Sequence, residues 1–253
     1  MAKKREVLAI IPARLNSTEI PRKSLRLLLG KPLIAYIIEA SLGASAVTRT
    51  IVTTESSEIA DVARSYGAEI PFVRPERLSQ DPVQVIEVAD HAVAQLQAQE
   101  GYVSDAVVLL QPPSPLCASS DINGAVRLFF TESPYAVMGV SSLHAHPYWA
   151  VSMEENGVLS SFMDLPSSAM RVGRQDFPPA YKMNGAIFVV KPDGIVRMAS
   201  HPYVDRTLAY VMPVERSVDI DTEIDFKMAE LLLAQQQHNT SLAPAVHDSF
   251  RRI

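Results

Sequence analysis

Two aspartates stand one residue apart near the far end of this 253-residue chain, in Ser217-Val218-Asp219-Ile220-Asp221. In extended backbone, residues two apart face the same side, so Asp219 and Asp221 converge while Ile220 turns toward the core. Two carboxylates aimed at one point repel each other unless positive charge lies between them. A hard divalent ion such as Mg²⁺, which takes one or two carboxylates and adds substrate phosphates, suits that arrangement. The positive end of a following helix would also favour acids there, and the pair alone leaves both readings open.

A second cluster lies near the start. The segment Ile11 to Ser24 gathers Arg14, Arg22 and Lys23 in an otherwise acidic chain, together with Asn16, Ser17 and Thr18. Cations on a loop with inward backbone N–H groups form an anion cradle; a solvated charged loop has the same composition. Arg74-Pro75 with Asp81, and Gln111-Pro112-Pro113-Ser114-Pro115, add two stiffened loops, and the Gln111 amide can both donate and accept. Gly173-Arg174-Gln175-Asp176 offers another arginine for a phosphate or carboxylate. His144 and His146 lack a third ligand at zinc-site spacing. Cys117 has no base nearby in sequence and reads as a buried thiol. Neither Gly-x-Gly-x-x-Gly nor a P-loop occurs, which disfavours dinucleotide oxidoreductases and P-loop kinases.

These loops need elements to position them. Val7–Ile11, Thr50–Thr53 and Ala106–Leu110 are short apolar runs of the kind covered on both sheet faces. Between them run helical spacings: Leu33, Ile34, Ile37, Ile38 and Leu42 after Pro32 and before Gly43; Ile59, Val62, Ala63 and Tyr66 before Gly67; and Val85, Val88, Ala89, Ala92 and Leu96 after an Asp81-Pro82 start. Ser120 or Asp121 caps a helix over 122–130, and Ala136–Val140 is again strand. Residues 5–140 thus read β-α-β-α-(β)-α-β-α-β, a doubly wound, mostly parallel α/β sheet. Ligands in such sheets bind beyond the carboxyl ends of the strands, where Ala13-Arg14, Thr53-Thr54 and Gln111 fall. The pattern breaks over residues 146–183, read as an inserted arm. It resumes over 184–234 with a Gly185–Val190 strand, a short helix near 193–199, a Leu208–Met212 strand and a helix capped by Thr222 and Asp225 that buries Ile224, Met228, Leu231 and Leu232. The division is 1–145 for the first α/β part, 146–183 for the arm, 184–234 for the return to the core with the aspartate pair, and 235–253 for a frayed polar tail.

Composition sets limits. The chain has 28 acidic against 23 Lys and Arg residues, net −5, so no basic field favours nucleic acid or a membrane surface. No apolar run approaches the ~20 residues of a membrane span. Met1 to Arg5 imitates the charged opening of a signal peptide, but Pro12 and Arg14 interrupt the apolar run after it. One cysteine excludes an internal disulfide framework, and a cytoplasmic location is expected.

Taken in order, Ile11-Pro12-Ala13-Arg14 with Ile20-Pro21 and Lys23, Gly30–Ile34, Arg74-Pro75 with Leu78 and Asp81, Leu109–Pro115, Arg174-Gln175-Asp176, Asn184–Ile187 and Ser217–Asp221 resemble the acylneuraminate cytidylyltransferase family. The resemblance spans about Val7 to Leu233. It implies a Rossmann-like nucleotide domain, a small arm that exchanges contacts across a homodimer, and an Mg²⁺-dependent reaction in which CTP and a keto-sugar acid give CMP-sugar and pyrophosphate. By position it also implies that Arg14 and Lys23 grip the triphosphate; Ala13, Asn16 and Ser17 line the nucleotide loop; and Arg74 and Asp81 lie near base or ribose. Gln111 would face the sugar–nucleotide junction, Asp219 and Asp221 would hold Mg²⁺, and Arg174, Lys182, Phe188 and Tyr203 would shape the sugar pocket.

Four departures stand out against the family pattern. Ser17-Thr18-Glu19 replaces Ser-Lys-Gly, and a Ser-Thr pair is the octulosonate (Kdo) enzymes' version; Ser24 replaces Asn; Cys117 replaces an arginine; Trp149 replaces a lysine. The last two remove charge that would meet a sugar carboxylate, which points toward legionaminate- or pseudaminate-like acids beside N-acetylneuraminate. Competing readings are a Kdo-type or guanylyl-transferring relative, a glycosyltransferase using Asp-x-Asp, and a non-catalytic homologue in which Glu19 opposes triphosphate binding.

Overall fold

A computed structural model describes residues 5–17, 19–81, 83–163, 174–195 and 206–242. Its centre is β1 (Val7–Pro12), whose residues Val7 to Ile11 are fully buried because the sheet is covered on both faces. β1 lies between two parallel neighbours, β4 (Arg49–Thr53) and β5 (Ala106–Leu110), with Ile10 facing Ile51 on one side and Leu109 on the other. The six-stranded sheet continues through β9 (Tyr181–Val190), β6 (Ala136–Ser142) and β10 (Thr207–Val211), in the order β10-β6-β9-β5-β1-β4. β9 alone runs antiparallel, between β5 and β6. A two-stranded hairpin, β2 (Leu27–Leu28) with β3 (Lys31–Pro32), follows the first loop, and a second, β7 (Val151–Met153) with β8 (Leu159–Ser161), stands in the arm.

Helices α1 (Leu33–Leu42), α2 (Ser57–Ser65), α3 (Val85–Glu100) and α4 (Ser119–Glu132) pack on the sheet, and α5 (Glu223–Leu242) closes the chain's described part. Leu33, Ile34, Ile37 and Ile38 are buried along α1, as their spacing requires. The bracketed strand after α2 reduces to one bridge between Ile51 and Glu69. At α4, Asp121 is the third helical residue and accepts from the Ala118 N–H at 3.1 Å. Its other partner is Arg216, at 2.7 and 2.8 Å, so this acid also anchors the turn before the second acidic loop.

Several expectations change. α3 starts at Val85 after Gln84 rather than at Asp81-Pro82, because the Asp81 carboxylate is committed to Arg14 at 2.7 Å; Pro82 lies outside the described residues. Gly185–Val190 is the second half of a longer strand beginning at Tyr181. Pro192–Gly194 forms one 3₁₀ turn, and the rest of the helix expected near 193–199 lies outside the described residues. α5 runs on to Leu242 where a frayed tail was expected; its Ala and Gln residues are good helix formers.

α5 is capped as expected: Thr222 Oγ1 accepts from the Asp225 N–H at 3.3 Å, and Asp225 accepts from the Thr222 N–H at 2.7 Å. Its buried face differs. Phe226, Ala229 and Leu233 pack with Ile20, Leu28, Leu33, Leu116 and Ile220, whereas Ile224, Met228 and Leu231 are exposed. The helix carries two apolar stripes, and its entry decides between them. Ile220 is tied to the Pro113 carbonyl at 2.9 Å, and Arg26 pairs with Glu223 while lying 4.1 Å from the Phe226 ring.

Candidate active site

The carboxyl ends of β1 and β5 open onto a cavity of about 370 Å³, which the segment from Arg74 to Val88 walls on another side. Ala13 begins the loop after β1, and its N–H donates to the Thr53 carbonyl at 3.1 Å, so this loop leaves the sheet paired with β4. From the other end of the chain, the Ile220 N–H donates to the Pro113 carbonyl at 2.9 Å, which brings Asp219 and Asp221 against the loop after β5. Lys23 closes the ring. Its ammonium donates to the Ile220 carbonyl at 2.7 Å and to Asp221 at 3.1 Å. The cationic loop and the paired carboxylates, 198 positions apart in sequence, therefore meet in one place.

Asp219 is held more deeply than Asp221. Its carboxyl is pushed up to about 6, first by burial and then by the charge of Asp221, with Lys23 and Lys182 pulling it back. Gly185 makes the close approach possible: a Cβ there would stand 3.0 Å from an Asp219 carboxylate oxygen, and its φ of +69° is one that glycine adopts freely. Gly185 lies in a bulge of β9, where the pairing with β6 shifts register between Met138 and Val140. Beside it, buried Asn184 donates to Ser217 Oγ at 2.9 Å, and Ser217 donates to the Pro213 carbonyl at 2.8 Å. The bulge thus sets the turn from which Asp219 projects.

Of the residues singled out in the sequence, Ala13, Arg14, Ser17, Lys23, Arg74, Gln111, Asp219 and Asp221 all border the cavity. Asp81 stands at the rim, paired with Arg14. Asn16 is exposed on the same loop and does not line it. Lys182 is exposed at the start of β9, close enough to Asp219 and Asp225 to lower both carboxyls. Phe188 sits apart, level with Leu109 and Met138, in the core layer beneath α3. Arg174 opens a 3₁₀ turn ending at Asp176. Tyr203, Thr18 and Gly173 lie outside the described residues. The Cys117 thiol is buried and pushed well above its ordinary value by that burial, which removes it as a nucleophile.

Hard carboxylate oxygens on Asp219 and Asp221 fit a hard divalent cation, which would offset both the burial of Asp219 and its repulsion by Asp221. No group of three or more His, Cys, Asp or Glu converges among the described residues, so other ligands to such an ion would come from phosphate and water. Glu55 was not singled out in the sequence, yet it stands at the heart of the loop contacts. An acid just before Ser56, the α2 cap, reads from sequence as a partner of the helix dipole.

The mixed sheet, with a cationic loop and a carboxylate pair meeting beyond its strand ends, has the α/β fold seen in solved nucleotidyltransferases. The solved structure of a CMP:2-keto-3-deoxy-manno-octonic acid synthetase complexed with CTP has the same fold, with a TM-score of 0.66 over 91% of this chain and 99% of that one at 17% identity. Residues 8–241 match the family model described as Cytidylyltransferase, and the chain belongs to that family. It is 35% identical to CMP-N,N'-diacetyllegionaminic acid synthase of Legionella pneumophila over 91% of this chain and 97% of the relative. It is 34% identical to N-acylneuraminate cytidylyltransferase of Escherichia coli O18:K1:H7 over 98% of its own length, and spans about half (56%) of that longer protein.

Proposed function

We propose that this protein is a CMP-nonulosonate synthase: it transfers the cytidylyl group of CTP to a nonulosonic acid of the legionaminate type and releases pyrophosphate. The observation that carries this reading is the Lys23–Asp221 contact, which joins a triphosphate-binding loop to a carboxylate pair across one cavity. The sugar's anomeric oxygen forms a bond to the α-phosphorus as the bond to the β-phosphate oxygen breaks, and the hydroxyl proton is released. Arg14 and Lys23 supply fixed positive charge where the pyrophosphate departs. Arg14 must exchange its Asp81 partner for phosphate, so Asp81 keeps the guanidinium at the rim until the nucleotide arrives.

Ala13 and Ser17 line the nucleotide side, with Asn16 at its outer edge. Gln111, beside Asp219 through Gly185, faces the junction of nucleotide and sugar, with its amide free to orient either. Lys182 offers a charge to the sugar carboxylate, and by resemblance Arg174 and Tyr203 would join it on the sugar side, whereas Phe188 packs in the core layer away from the cavity. Asp219 and Asp221 would hold Mg²⁺, which supplies charge neutralisation at the α-phosphate. Exposed apolar side chains on the arm hairpin, Val151, Met153, Leu159 and Phe162 among them, favour a homodimer. Among the described residues no helix is long and apolar enough to cross a membrane. We place the enzyme in the cytoplasm, where a reduced thiol and CTP are at home.

A panel of nonulosonic acids against four nucleoside triphosphates, read by pyrophosphate release and product mass, tests the reading. CMP-sugar from CTP and a nonulosonic acid is the expected product. Pyrophosphate release that does not depend on added acid sugar, or none with any pair, overturns it.

A further inference from the structure

We propose that Glu55 is a positioning residue for nucleotide binding: from just beyond the end of β4, its one carboxylate ties the loop after β1 to the Arg74–Ser79 segment, the two stretches that line the nucleotide side of the cavity. The inference rests on the reading of that cavity as a CTP site.

Glu55 stands two residues after the end of β4, and its side chain is 18% exposed. One oxygen accepts from the Leu15 N–H at 2.8 Å, in the loop after β1. The other accepts from the Arg74 Nη2 at 2.7 Å and from the Ser79 hydroxyl at 2.8 Å, both in the segment leading to α3. Arg74 is only 3% exposed and carries the link further. It donates to the Ala13 carbonyl at 2.8 Å, the Thr53 carbonyl at 3.2 Å and Ser79 Oγ at 3.0 Å. Four of its five N–H groups are thus matched by protein acceptors, leaving one on Nη1.

These contacts bracket Arg14 from both sides. Ala13 is fixed through its carbonyl and Leu15 through its N–H, so the backbone that presents Arg14 has little freedom. Burial pushes the Glu55 carboxyl up, but the Leu15 and Ser79 hydrogen bonds and the Arg74 charge outweigh it and leave the group below its ordinary value. A carboxylate has two oxygens and no N–H, so it can meet all three donors at once; an amide of equal size has one oxygen and turns N–H toward a donor. A loop held in its binding conformation before the ligand arrives loses less entropy on binding. Loosening it therefore weakens nucleotide capture, while the carboxylate pair and the sugar side are untouched.

The test compares the full-length wild type with Glu55→Gln and Glu55→Asp, measuring CTP binding by titration calorimetry and steady-state constants for CTP and the sugar. Glu55→Asp keeps the charge beside Arg74 but is one methylene shorter, so it remains informative where Glu55→Gln does not fold. The folded variant is expected to bind CTP at least fivefold more weakly and to show a matching rise in the CTP KM. Its sugar KM should stay within twofold and its kcat at saturation within threefold. A fall in kcat or melting temperature without that split would mark a merely structural role and overturn the proposal. CTP affinity equal to wild type in a folded variant overturns the positioning role while leaving the enzyme reading intact. A wild type that does not bind CTP overturns both.

Discussion

At the scale of single residues, the site places an unfavourable charge where the reaction needs one. Asp219 titrates near 6 in the native protein against an ordinary 3.8, so the fold gains from its proton at low pH and loses that gain as pH rises through 6. Asp219→Asn removes the buried charge. In the absence of divalent ions its thermal midpoint at pH 7.5 should exceed that of wild type by roughly 2–4 °C, the shift expected for about 1 kcal/mol in a chain of this size. The difference should vanish below about pH 4, and turnover should fall at least a hundredfold. A lowered midpoint at pH 7.5 would mean that the carboxylate is a net stabiliser. Asp221 differs because its side chain is 62% exposed. Asp221→Asn should cost as much turnover and leave the melt nearly unchanged, since an exposed pair with Lys23 contributes little. Activity equal to wild type in this variant would remove its metal role.

The elements show where sequence periodicity has a single solution and where it has two. The apolar runs of β1 and β5 admit only burial on both faces, and the Thr222–Asp225 box marks the start of α5 without help from tertiary contacts. The buried face of α5 was not legible, because Ile224-Met228-Leu231 and Phe226-Ala229-Leu233 are both plausible stripes. Contacts of Ile220 and Arg26 with distant segments make the choice. Phe226→Ala should therefore cost about 3 kcal/mol in denaturant unfolding, whereas Met228→Ala should stay near ±0.5 kcal/mol. The reverse order would restore the face read from periodicity. The start of α3 failed for a related reason: Asp81 is a good cap by type, but the Arg14 guanidinium across the cavity competes for its carboxylate. Glu55 stayed hidden because its three partners, Leu15, Arg74 and Ser79, lie in two segments 19 to 40 positions away in sequence.

At the scale of the whole molecule, the general rule for α/β sheets places the loops after β1 and β5 together at the cavity. It does not cover β9, whose reversed direction brings Gly185 against Asp219, because strand direction depends on pairings between segments far apart in sequence. The arm is the other feature that local patterns describe poorly. Its hairpin buries almost nothing within the chain: Met153, Leu159 and Phe162 are 73%, 61% and 72% exposed. A two-stranded ribbon is marginal in water by itself, and three large apolar side chains on it need a partner surface. The homodimer proposed above would supply one, since a two-fold axis would let each arm cover the other subunit. Light scattering should give twice the 27.7 kDa chain mass at micromolar concentration, and Leu159→Glu with Phe162→Glu should reduce it to the monomer while CTP binding persists. Wild-type protein that stays monomeric at those concentrations would leave the hairpin without the partner inferred for it.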